Sequence, residues 1–214
     1  EAMADFSAAI ELDPQDVDAY IYRAEILINR GESQSALQDL NTAFEIDNES
    51  TEILNNRALL YVSMGEYEEA YGDLTEAIGM DEDNPERYIL RGELLCLTGN
   101  TDEAMLDYRT ALELDPLNID AQLDLAALYL ENGQLEQALE FYSSALEVDP
   151  GNPEILYYRA FLNMQLGDLD DALADMDEMI SIYPDNSRYY SARGWIHTSM
   201  NEMDLAMQDY ARAL

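Results

Sequence analysis

This sequence predicts an all-α solenoid of antiparallel helix pairs, and three observations lead to that fold class. Alanine recurs every 34 residues, glycine recurs at the same interval, and the apolar residues between them follow the period of an α-helix. A fixed period of this length indicates stacked helical hairpins in which each unit contacts only its neighbours. The alanine column is Ala2, Ala36, Ala70, Ala104, Ala138, Ala172 and Ala206, and the glycine column is Gly31, Gly65, Gly99, Gly133 and Gly167.

The period also sets the expected domain organisation, which is one continuous solenoid over residues 1–214. Residues 1–16 are expected to form the second helix of a preceding repeat. Six repeats follow, over residues 17–50, 51–84, 85–118, 119–152, 153–186 and 187–214. The place of a residue in its repeat, counted from 1 to 34, is called its position.

Each repeat is expected to contain two amphipathic helices. Apolar residues at i, i+4 and i+7 form a stripe along one face of a helix, and that face packs into a core. Positions 8 and 20 are alanine or glycine in every repeat, which lets the two helices approach closely. The repeat 17–50 has two such stripes: Tyr20, Ala24 and Leu27, then Ala36, Leu40 and Ala43.

Turn-forming residues mark the expected ends of these helices. Glycine is common just after a helix because it adopts a positive φ without steric cost, so the glycine column predicts the turn within each hairpin. Proline disfavours helical geometry in the residue before it, so Asp-Pro at 13–14, 115–116 and 149–150 predicts turns between hairpins. Asparagine at 84, 118, 152 and 186 stands where the following helix needs an N-cap.

Two charged columns vary together. Position 7 is arginine and position 23 is aspartate in five repeats, whereas the fourth repeat has Leu125 and Phe141 in these places. The two positions lie symmetrically about the hairpin turn, so they are expected to face each other as an ion pair that is replaced once by an apolar contact. The alternative is coincidence in one divergent repeat. The predicted structural pairs are Arg23–Asp39, Arg57–Asp73, Arg91–Asp107, Arg159–Asp175 and Arg193–Asp209.

The chain is strongly acidic and contains no lysine. It has 46 Asp and Glu residues against 10 basic residues, all arginine, and a net charge of −36. Because binding to phosphate needs basic patches, the sequence predicts no nucleic-acid partner and no direct binding to anionic membranes. Three explanations of the acidity stay open: a solvated acidic surface, adaptation to a high-salt environment, or a basic partner.

The sequence offers no catalytic constellation, and the chain is not expected to be an enzyme. It has no glycine-rich phosphate loop, no nucleophile with a phased base and no Cys/His cluster, so neither a cofactor nor a metal is expected. His197, the single histidine, falls at position 11 and is expected to be a structural core residue.

These columns resemble those of the tetratricopeptide repeat, and the resemblance covers the whole chain. The segments 20–24 and 88–92, followed by the pattern Gly-x-x-x-x-Ala, are similar to the Arg-containing subtype of that repeat. The resemblance implies a right-handed superhelix that acts as a protein–protein interaction scaffold. It also implies a concave groove lined by the first helix of each repeat, chiefly at positions 2, 5, 9, 12 and 13.

The groove that the resemblance implies is apolar with acidic spots, and Arg188 is its only cation. Family members that hold the acidic tails of chaperones use Lys, Arg and Asn at positions 5 and 9, and this chain has Asn55 without those cations. A chaperone carboxylate clamp is therefore not expected. The expected partner is a protein or peptide with apolar anchors and Arg or Lys. The candidate groove residues are Ile21, Glu25, Asn55, Leu59, Ile89, Glu93, Leu123, Tyr157, Phe161, Met164 and Trp195.

Three alternatives to this interpretation stay open. Phe161 and Trp195 are the favoured anchors, but aromatic residues in a solenoid often only pack between adjacent helices. The array can also be structural and self-associate end to end, because open repeat ends lack polar caps. Finally, it can be an accessory segment of a larger enzyme or regulator.

Overall fold

The computed structural model describes residues 2–214, and this part of the chain forms thirteen α-helices and no strand. The predicted all-α helical-repeat fold is confirmed. The helices group into two compact units, the first ending at Leu114 and the second spanning Asp115–Leu214.

The first unit contains a single helix followed by three hairpins. In each hairpin the two helices pack against each other, and the second helix also packs against the first helix of the next hairpin within the unit. The helices are α1 (Ala2–Leu12), α2 (Val17–Asn29), α3 (Ser33–Ile46), α4 (Thr51–Met64), α5 (Tyr67–Met80), α6 (Pro85–Leu97) and α7 (Thr101–Leu114).

The second unit contains three hairpins with the same packing pattern. Its helices are α8 (Ile119–Glu131), α9 (Leu135–Val148), α10 (Pro153–Leu166), α11 (Leu169–Ile182), α12 (Ser187–Ser199) and α13 (Met203–Ala213). In both units, the first helix of every hairpin begins at the first residue of its predicted repeat.

The turn-forming residues act as the sequence predicts. Each N-cap asparagine accepts a hydrogen bond from a backbone N–H in the first turn of α6, α8, α10 or α12. The five glycines within the hairpins have φ between +71° and +91°. In the last hairpin Asn201 takes the place of glycine with φ +63°, a conformation that asparagine tolerates better than most residues.

The small residues at positions 8 and 20 lie where the two helices of a hairpin meet. The six alanines of position 20 that follow Ala2 are all buried. At Gly92 even a Cβ atom would lie 2.7 Å from Cε1 of Tyr108, so the tyrosine ring of the second helix occupies the space of a side chain. In the fourth hairpin, where position 8 is Ala126, the ring of Tyr142 stacks on Tyr158 of the next hairpin, with centroids 5.4 Å apart.

All five predicted Arg–Asp pairs are present, and each joins the two helices of its hairpin. Nε and Nη2 of the guanidinium donate to the two oxygens of one carboxylate, and the shortest N···O distance in each pair is 2.5–2.7 Å. The aspartate side chains are 2–9% exposed. We call this two-bond pairing an arginine bridge.

Four arginine bridges also reach the preceding hairpin or helix. Nη1 of the arginine donates to the residue at position 25 of the preceding second helix, which is Ser7, Asn41, Thr75 or Asp177. These arginines therefore hold three helices at once. In addition, the guanidinium of Arg57 lies 4.4 Å from the ring centroid of Phe44.

The arginine of each bridge stays protonated over the ordinary pH range. The hydrogen bonds that each bridging arginine donates to its aspartate raise the pKa of the arginine further above its usual value. In the fourth repeat an apolar arrangement replaces the bridge. Leu125 is fully buried, and the ring of Phe141 stacks on Tyr129 with centroids 5.6 Å apart.

We predict that Arg57→Ala and Asp73→Ala will each destabilise the protein by about 3–5 kcal/mol, because each leaves one buried charge without its partner. The double variant Arg57→Leu/Asp73→Phe, which copies the fourth repeat, should recover most of that loss. Denaturant midpoints would measure all three. A double variant that is as unstable as the single variants would show that the apolar pair is not a substitute for the bridge.

Candidate partner-binding site

Several predicted groove residues of the second unit are large, apolar and exposed. Tyr157 and Phe161, one turn apart on α10, are 48% and 41% exposed, and Trp195 on α12 is 49% exposed. Met164 and Leu123 are half-buried. Three aromatic side chains are therefore available for contact on the first helices of neighbouring hairpins.

The equivalent face of the first unit presents one large apolar side chain and acidic residues. Leu59 is 50% exposed, and the carboxylates of Glu25 and Glu93 are at the surface. No aromatic residue occupies position 5 or 9 in this unit.

Two candidate groove residues, Ile21 and Ile89, are buried and only 4% and 7% exposed, so they offer little surface to a partner. Ile21 packs in a cluster with Tyr20, Ala43 and Ile53. Ile53 belongs to α4, so this cluster brings together residues of α2, α3 and α4. Asn55 stands at the same position as Ile21 in the next repeat, and its Oδ1 atom is buried and forms no hydrogen bond with the described residues.

In the second unit, by contrast, the space between α10 and α12 is open. A cleft of about 740 Å³ separates the two helices near their N-terminal ends. Three tyrosines line it, Tyr157 and Tyr158 from α10 and Tyr189 from α12. The cleft explains why Tyr157 is exposed, whereas Ile21, at the same position of its own repeat, is buried.

Contacts outside the cleft hold two of its tyrosine rings. Tyr158 stacks on Tyr142, and Tyr189 makes an edge contact with Tyr183 at a centroid distance of 6.3 Å. Burial raises the pKa of Tyr142 to about 12, so the ring that supports Tyr158 stays neutral. Two of the three rings that line the cleft are therefore packed against rings outside it.

Tyr158 and Tyr189 were not predicted, because the resemblance places the groove chiefly at positions 2, 5, 9, 12 and 13 and these tyrosines stand at positions 6 and 3. One signal was available for Tyr189. Position 3 is a small, aliphatic or arginine residue in the five other repeats, and all five are buried. A partly exposed tyrosine in that column marks a place where the packing of first helices changes.

His197 lies in the core of the last hairpin, 7% exposed, as a structural histidine would. Its Nδ1 is 2.7 Å from a carboxylate oxygen of Glu202, and its Nε2 is 3.7 Å from one of Asp209. Within residues 2–214, no group of three His, Cys, Asp or Glu residues is arranged to hold a metal ion. No helix in this range is long and apolar enough to cross a membrane.

Models of the tetratricopeptide repeat match residues 6–38, 55–119, 99–147, 130–196 and 187–214 of the chain. No curated protein matches it significantly. Many solved structures share its fold, and we describe three of them.

YrrB, described as a tetratricopeptide repeat protein with an unusual peptide-binding site, is 24% identical with a TM-score of 0.65, over 88% of this chain and 97% of YrrB. A tetratricopeptide repeat protein from Parabacteroides merdae is also 24% identical, with a TM-score of 0.67, over 99% and 84% of the two chains. Pseudomonas aeruginosa pilF is 21% identical with a TM-score of 0.71, over 92% and 90%. At these identities the likeness establishes the fold alone.

We predict that Trp195, the only tryptophan, will show the red-shifted fluorescence of a side chain in water. Neutral acrylamide should quench it readily, and Cs⁺ should quench it more than iodide because the protein carries a charge of −36. Blue-shifted emission that resists all three quenchers would show instead that Trp195 is packed between helices.

Proposed function

We propose that this chain, which belongs to the tetratricopeptide repeat family, is a protein–protein interaction scaffold. In this proposal its second unit binds an extended or helical peptide. The observation that carries the proposal is the exposed aromatic group Tyr157, Phe161 and Trp195 on α10 and α12. Aromatic side chains dominate binding hot spots because they bury a large area at a small cost in conformational entropy. The peptide-binding site described for YrrB supports this choice of partner class.

The charge of the chain favours a partner with an overall positive charge. The apolar anchors of that partner would contact the exposed aromatic side chains. A net charge of −36 attracts basic segments and repels acidic ones over a distance set by the salt concentration. On the first-helix faces, Glu25 and Glu93 add local acidic sites. A site for acidic chaperone tails needs several cations, and positions 5 and 9 contain none.

We predict that changing Phe161 and Trp195 to alanine together will abolish peptide binding. Wild-type protein would be screened against a synthetic array of random dodecapeptides that are acetylated and amidated at their ends. The bound peptides should be enriched in large apolar residues with Arg or Lys, and the double variant should lose them.

The matched control is Tyr67→Ala/Met80→Ala. Both residues lie on the second helix α5 and are 40% and 41% exposed, so the control removes similar apolar area from another face. Equal binding by wild type and Phe161→Ala/Trp195→Ala would show that these side chains are not the anchors. Equal loss in both double variants would point to nonspecific adhesion.

One observation favours a second candidate, self-association through α13. The side chain at position 24 is buried in five hairpins, at Leu40, Leu74, Tyr108, Tyr142 and Met176. In α13 the equivalent Tyr210 is 40% exposed and the neighbouring Met207 is 63% exposed. This apolar face is a candidate contact between two copies of the chain.

Sedimentation velocity tests the second candidate. Self-association through α13 predicts a mass that rises with protein concentration and returns to that of the monomer in Met207→Asp. A mass that stays monomeric at every concentration would remove this candidate and leave the peptide-binding proposal intact.

A further inference from the structure

The charge of the side chain at position 2 of the first helix changes sign once along the chain. This residue is acidic in five repeats and arginine in the last: Asp18, Glu52, Glu86, Asp120, Glu154 and Arg188. The first turn of a helix favours acidic side chains, because the helix dipole is positive there. Arg188 is therefore unfavourable for the stability of the helix that contains it.

No contact within the protein compensates for this arginine. Its side chain is exposed and forms no ion pair, hydrogen bond or ring contact with any residue in the described range 2–214. Arg193, on the same helix, pairs with both Asp177 and Asp209. Neither helix stability nor packing thus explains a free guanidinium at position 2 of a chain with a net charge of −36.

Arg188 lies at the edge of the tyrosine cleft. Glu154, the residue at the same position of α10, also lines the cleft, so a carboxylate and a guanidinium are present on its two sides. Between them are the rings of Tyr157, Tyr158 and Tyr189. The volume of about 740 Å³ is in the range of pockets that hold a small ligand, roughly 300–1,000 Å³.

We propose that the cleft between α10 and α12 selects peptide segments in which an apolar or aromatic side chain has a basic residue on one side and an acidic residue on the other. The apolar side chain enters among the tyrosines, the basic residue lies against Glu154, and the acidic residue lies against Arg188. This inference rests on the proposed peptide-binding function and specifies the chemistry of the bound segment.

Charge complementarity is the reason for choosing this occupant. The overall field of the protein favours basic peptides, so a carboxylate in the ligand is tolerated only where a local cation receives it. Among the groove positions Arg188 is the only such cation. A peptide with basic and apolar residues alone would leave it unpaired in the complex.

The test compares wild type with Arg188→Glu on the same array of capped random dodecapeptides. Glutamate occupies position 2 in repeats 51–84, 85–118 and 153–186, so this variant is expected to fold. Arg188→Gln removes the charge without reversing it. Arg30→Glu makes the same change of charge at an exposed arginine that lies outside the cleft, at the end of α2.

We expect peptides bound by wild type to be enriched in Asp or Glu beside an apolar anchor, and this enrichment to disappear in Arg188→Glu and Arg188→Gln. For an individual peptide, changing its acidic residue to the amide should weaken binding to wild type about tenfold and leave binding to Arg188→Gln unchanged. Arg30→Glu should behave as wild type.

The inference would be overturned if peptides bound by wild type and by Arg188→Glu had the same content of Asp and Glu. It would also be overturned if Arg30→Glu lost the enrichment in Asp and Glu as fully as Arg188→Glu. If those peptides still depended on Phe161 and Trp195, the proposed function would stand without this selectivity. If wild type and Phe161→Ala/Trp195→Ala bound the same peptides, or none, the proposed function would fail and this inference with it.

Discussion

The arginine bridge is the interaction on which the rest of the structure depends. Each bridge joins the two helices of a hairpin through two hydrogen bonds to a nearly buried aspartate, and four of them add a bond to the preceding second helix. Burying an ion pair is costly unless its hydrogen bonds are satisfied. Here the geometry satisfies them, so the bridges hold the two helices together in five of the six described hairpins.

This use of arginine has a consequence for the surface. The five bridges and the Arg87–Asp81 pair take up six of the ten arginines, whereas most of the 46 acidic residues lie on exposed faces. The negative field around the protein is therefore largely uncompensated. The inner columns are held nearly constant by packing, whereas positions 5 and 9 of the first helices differ from repeat to repeat.

The sequence was sufficient to predict the helices and the arginine bridges. Its period places the start of every first helix at the observed residue, and the joint change at Leu125 and Phe141 identified which columns face each other. Period and polarity could not predict how closely successive first helices approach. For that reason Ile21 was a candidate groove residue although it is buried in a cluster with Ile53, and the cleft beside Tyr189 was not predicted. Those distances depend on side-chain volumes from several helices at once.

In the proposed function, the electrostatic field of the whole chain and the tyrosine cleft act on different steps of binding. Long-range attraction raises the rate of encounter with basic partners and is weakened by salt, since the Debye length is about 8 Å at physiological ionic strength. Contacts within the cleft act only after encounter and depend on shape and on the single charges of Glu154 and Arg188. An acidic scaffold can therefore attract many basic segments and retain few of them. In the proposed complex the retention depends on α10 and α12, where the exposed aromatic side chains and Arg188 occur together.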